Sequence, residues 1–116
     1  MKQKKIRKIS HRESSKTVEN PKGILRTTMS YNDEIMLCHF LMQKGAKVPL
    51  HNHEAVQTGY VIMGSISFDR GDGSSFTATA GTGYVFGSGE NHGVEVLEDS
   101  EVIECFAPLR PEYADD

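Results

Sequence analysis

Short apolar runs separated by clusters of turn formers dominate this chain, and no long helical period appears. Residues 24–30 make a first run, and Tyr31, Asn32, Asp33 and Glu34 supply a polar turn. Residues 35–42 form an apolar strand closed by Lys44 and Gly45. Residues 56–69 read as a strand pair interrupted near Gly64, ending in the hairpin-type turn Asp69, Arg70, Gly71, Asp72 and Gly73. Residues 74–79 return with alternation, and 84–86, 92–97 and 101–107 complete the set. Ten of the eleven glycines fall between residues 45 and 93, where tight corners need close backbone approach. The pattern predicts an all-β sandwich or barrel with little or no helix.

Composition narrows the function classes. With 116 residues the chain makes one domain able to bury roughly two thirds of its unfolded surface. Its charged and apolar fractions, 25% and 37%, are those of a soluble globular protein. No apolar run reaches the length of a membrane span, and the basic N-terminus lacks the apolar region of an export signal. Cys38 and Cys105 sit in apolar runs and read as reduced core residues of a cytoplasmic protein. Lys2, Lys4, Lys5, Arg7, Lys8, Arg12 and Lys16 crowd the start, and Glu112, Asp115 and Asp116 close the end. No aromatic interleaves the basic stretch and the net charge is −3, so no nucleic-acid partner is expected. Residues 1–20, with Ile6 and Ile9, read as a solvated basic arm or an edge strand blunted by lysine, and 21–116 as the barrel.

Four side chains carry the candidate chemistry. His51 and His53 are two apart, so on an extended strand both face one side. Gln57 lies an even number of residues further on and can join them, while His92 must arrive from a separate strand. Three imidazoles and an amide oxygen suit one divalent cation such as Zn, Ni, Mn or Fe. If these residues face the lumen, strand parity carries Gly59, Val61 and Met63 inward and turns Tyr60 and Ile62 to the opposing layer. The same rule sends Val94 and Val96 inward. His39 defaults to a satisfied histidine. Glu104 interrupts an apolar strand, so it faces either solvent, the default, or a functional cavity.

The spacing is regular. Five residues separate Gly45 from His51, one separates His51 from His53, three lie before Gln57 and six before Gly64. Five lie between Gly81 and Gly87, and two between Gly89 and His92. This resembles the paired motifs of the cupin superfamily, with Gln57 in place of the usual Glu, Gly87 in place of Pro and Val96 in place of Asn. The resemblance implies a jelly-roll β-barrel with the four residues as metal ligands.

A narrower resemblance covers roughly residues 24–113. Gln57 in the Glu slot, and the stretch Glu104, Cys105, Phe106, Ala107, Pro108, Leu109, Arg110, Pro111 and Glu112, look like the small cupins that linearise unsaturated uronates in pectin and alginate breakdown. Those proteins carry Asp where this chain has Glu104. The resemblance implies a Lewis-acid metal and a small anionic sugar acid as substrate. It also implies Glu104 as general base and then acid, Phe106 against the sugar's apolar face, Arg26 on the carboxylate, and a homodimer paired through the N-terminal arm. Two further readings stay open: a metal-dependent dioxygenase of a small molecule, and a non-catalytic barrel that binds a small ligand.

Overall fold

Two long strands organise the computed structural model, which describes residues 5–114. Lys2 and Lys4 of the basic stretch and the terminal Asp115 and Asp116 lie outside them. The described residues form strands β1 (Lys8–Ile9), β2 (Thr17–Glu19), β3 (Ile24–Tyr31), β4 (Met36–Met42), β5 (Lys47–His51), β6 (Val56–Asp69), β7 (Ser75–Thr79), β8 (Gly83–Phe86) and β9 (His92–Ala107). Two short 3-10 turns, Arg12–Ser14 and Pro111–Tyr113, are the helical segments among them. This is the all-β jelly roll expected.

β6 and β9 pair antiparallel along most of their length and change partners midway. The first half of β9 lies beside β5 and the second half of β6. Its second half lies beside β4 and the first half of β6. β8 and β7 flank the two halves of β6, and β3 continues the sheet beyond β4 with β1 and β2 at its edge. Each long strand therefore serves both faces of the barrel. The sequence reads breaks near Gly64 and between residues 97 and 101; the structure has continuous strands that turn a corner there.

The corner has an identifiable chemistry. Gly64 has φ +102°, and a Cβ there would lie 2.1 Å from Ser100 Oγ. That hydroxyl accepts from the Ser65 amide at 3.0 Å and donates to the Glu98 carbonyl at 2.7 Å. The pairing register shifts at Val61, Met63 and Ser65. Inward positions on β6 pass from Gln57, Gly59 and Val61 to Ile66 and Phe68. Met63, expected inside, is therefore 52% exposed: the inserted residue at the bulge breaks the alternation from which it was placed. Tyr60 and Ile62 do point the other way, but onto the outer surface rather than a second layer. β9 keeps its parity, with Val96 buried and Val94 packed at the core's margin.

The core joins both faces through Met36, Phe40, Val61, Ile66, Phe68, Phe86, Val102 and Phe106. Cys38 and Cys105 are free thiols, and parity keeps them apart: Cys38 is in the core, whereas Cys105 sits half-buried on the other face. His39 is satisfied by Glu101, 2.7 Å from its Nε2.

Candidate metal centre

His51 is the last residue of β5, and the chain then leaves the sheet, so His53 lies in the connection before β6 rather than on a strand. Gln57, expected on the same extended stretch, comes instead from the start of β6. His92 opens β9 and pairs with His51. Ring centroids are 5.7 Å apart for His51 and His53, 4.3 Å for His51 and His92, and 5.0 Å for His53 and His92. One nitrogen from each ring lies within 4.8 Å of the others. Two stretches far apart in the chain, residues 51–53 and the start of β9, thus bring the imidazoles to one point.

Each ring is oriented by the same type of bond. Nδ1 of His51 lies 2.9 Å from the Pro49 carbonyl, that of His53 2.7 Å from the Ala55 carbonyl, and that of His92 2.9 Å from the Glu90 carbonyl. A carbonyl only accepts, so each Nδ1 of a neutral ring carries the proton and each Nε2 presents a lone pair. His92 Nε2 is buried with no hydrogen-bond partner, a situation that costs roughly 1–3 kcal/mol unless something else meets the lone pair. His53 Nε2 faces Gln57 Oε1 at 3.1 Å. Two acceptors at that distance repel, and a cation beside both turns the contact favourable. The donor set fits a divalent ion, with backbone carbonyls holding the ligand rings as outer partners.

A model described as "Cupin domain" matches residues 38–106, which spans all four of these residues. The chain belongs to the cupin family. Solved cupin-fold structures agree along nearly its whole length. An RmlC-like cupin from Shewanella frigidimarina superposes with a TM-score of 0.85 at 24% identity, covering 94% of this chain and 98% of that one. KdgF from Halomonas sp. gives 0.82 at 26% identity, covering 92% and 100%. The polyketide cyclase RemF from Streptomyces resistomycificus gives 0.74 at 24% identity, covering 90% and 82%. No curated protein matches the chain at the sequence level.

Electrostatics in this cupin barrel favour a cation over protons. Burial pulls the His92 pKa down to about 4, and the neighbouring imidazoles and Arg110 add to it, against the Glu90 carbonyl bond. Burial, then Arg110, also lowers His53.

Glu104 faces the barrel interior rather than solvent, at 5% exposure. Its Oε2 accepts from Gln57 Nε2 at 2.7 Å and from the Tyr84 hydroxyl. The first bond turns the Gln57 amide so that its oxygen faces His53. Burial pushes the Glu104 carboxyl up, opposed by the Tyr84 and Gln57 bonds and by the charge of Arg110. Tyr84 is pushed well above the usual phenol range by burial and then by Glu104, so it remains a proton donor to the carboxylate. Gly59 makes this contact possible, because a Cβ there would lie 2.3 Å from the Tyr84 ring.

Phe106 is buried, with its ring 6.0 Å from His53. Arg26 is buried on β3, where its Nε donates to Thr28 Oγ1 at 3.1 Å and its guanidinium lies 4.4 Å over the Tyr113 ring. Sequence reasoning missed Tyr84, and it left Arg110 and Tyr113 without roles. Inward parity beside Phe86 places Tyr84 in the lumen, but its meeting with Glu104 depends on which strands become neighbours.

Proposed function

We propose that this cupin holds one divalent cation through Nε2 of His51, His53 and His92 and Oε1 of Gln57, and that it opens the ring of a small unsaturated sugar acid. The observation that carries the reading is the set of three imidazoles turned Nε2-inward beside a buried carboxylate. The likeness to KdgF and the last-strand pattern support the substrate class. A bound cation supplies Lewis-acid polarisation of a substrate oxygen. Neutral Gln57 and three neutral rings leave its charge undiminished by the ligands, which favours an anionic substrate.

The chain's own groups handle the proton. Glu104 takes it from the anomeric hydroxyl as the C1–O5 bond breaks, leaving an aldehyde at C1 and an enolate at C5. It then returns the proton to C4, giving the linear keto acid. Tyr84 and Gln57 hold the carboxylate in place for both transfers. Phe106 offers an apolar face, and Arg26 supplies a planar pair of donors for the substrate carboxylate. The expected result is loss of the unsaturated-uronate absorbance with the metal-loaded wild type, slowed at least a hundredfold in Glu104→Ala. Equal rates for the two, or none for either, defeat this reading.

A further inference from the structure

The cavity in front of the histidines measures about 70 Å³, space for about two waters. Pockets that hold sugar-sized ligands run to roughly 300 Å³ or more. Tyr113, which lines the cavity, comes from the segment after β9 and lays its ring 5.5 Å from Phe106 and 6.3 Å from Phe40. Two guanidiniums lie over the same ring, Arg26 at 4.4 Å and Arg110 at 4.3 Å.

Among the described residues, three hydrogen bonds hold the backbone of the segment carrying Tyr113, and Tyr113 and Ala114 pack against the margin of the core. The Tyr113 amide donates to the Arg110 carbonyl at 2.9 Å and the Ala114 amide to the Pro111 carbonyl at 3.1 Å. The Thr28 hydroxyl donates to the Tyr113 carbonyl at 2.7 Å. Arg110 also pairs with Glu112 within the segment at 3.2 Å. This is one turn of 3-10 helix outside the strand pairing that locks the sheet, and such a turn opens at lower free energy than the paired strands.

We infer that Tyr113 is the specificity-determining residue of this site. Its planar ring, seated under two guanidiniums, stands where a planar anionic ligand would sit, and the ligand enters only when the ring leaves. The inference rests on the sugar-acid reading for its ligand class. Ring and ligand compete for Arg26 and Arg110, so a molecule lacking a carboxylate gains too little there to displace the ring. The closed population lowers apparent affinity by the fraction of molecules that are open.

The sign of one substitution separates a displaced occupant from an ordinary pocket wall. With the cobalt-loaded protein and D-glucuronate as probe, Tyr113→Ala is expected to tighten binding about tenfold, read from the cobalt absorption spectrum. Tyr113→Phe, which keeps the ring over both guanidiniums, should match wild type. Weaker or equal binding in Tyr113→Ala overturns the inference. A chain terminated after Glu112 makes the same comparison if the alanine variant does not fold. Amide exchange in metal-free wild type tests the opening without any ligand: the Tyr113 and Ala114 amides should exchange at least a hundredfold faster than those of β9. Protection equal to β9 overturns the gate. Failure of the wild type to take up cobalt instead defeats the metal reading, and the exchange measurement still decides the role of Tyr113.

Discussion

Gly59 shows how a residue without a side chain fixes the chemistry of a residue on another strand. A methyl group at this position would press on the Tyr84 ring from 2.3 Å, and Tyr84 is one of the two donors to Glu104. Gly59→Ala should cost about 1–3 kcal/mol, as overpacking of a filled interior does, read as a lower midpoint in denaturant. A change below about 0.5 kcal/mol would mean that Tyr84 can shift freely. His92 sets one limb of the pH response of the metal-free protein. The unfolded chain takes a proton on this ring near pH 6.5 and the folded chain only near 4. The unfolded state therefore binds more protons there between those values, so the His92 contribution to stability rises with pH across that window, while the raised carboxyl of Glu104 acts in the opposite sense above its unfolded pKa. Between pH 7 and pH 4.5 the metal-free wild type should lose about 1–3 kcal/mol more than His92→Asn does in denaturant titrations. An equal loss in the two proteins would show that His92 is not held neutral by its surroundings.

At the scale of elements, the corner in β6 decides the shape of the lumen. Gly64 meets Ser100 across it, and both its positive φ and the 2.1 Å approach rule out a side chain. Gly64→Ala should destabilise by several kcal/mol, more than Gly59→Ala, because strain in the backbone adds to the clash. Comparing the two unfolding midpoints checks this, and the reverse order would mean that the bulge is soft. The same corner explains what the sequence showed of the strands and what it hid. Alternation from His92 carried Val94 and Val96 inward, and the strand keeps that parity on to Glu104 and Phe106, which the sequence read as part of a separate run with Glu104 facing solvent by default. Alternation from Gln57 ran past the bulge and put Met63 on the wrong side. Apolar runs also ended at residues 97 and 101 where the strand itself does not. Exposed Glu98 and Asp99 mark the corner's surface, where the strand runs on through register shifts in its pairing with β6.

On the scale of the whole molecule, Leu41, Tyr60, Ile62, Val85 and Ile103 expose apolar surface on the outer face that β4, β9, β6 and β8 share. We propose that this apolar field, rather than the N-terminal arm, takes the second copy of the chain that the resemblance implies. The wild type should sediment as a dimer, and Tyr60→Glu combined with Ile103→Glu as a folded monomer. A monomeric wild type, or a dimer that survives both changes, would place the contact elsewhere or remove it. The amino-acid sequence by itself determined the β class and the four candidate ligands, because side-chain alternation and ligand spacing are local properties of the chain, and the resemblance of its motifs implied the jelly roll. Only the tertiary structure decided that His53 reaches the site from the connection after β5, that Tyr84 and Gln57 share Glu104, and that Tyr113 lines the lumen under Arg26 and Arg110. Those contacts join residues far apart in the chain, and nothing in their spacing encodes which strands become neighbours or how sharply each one turns.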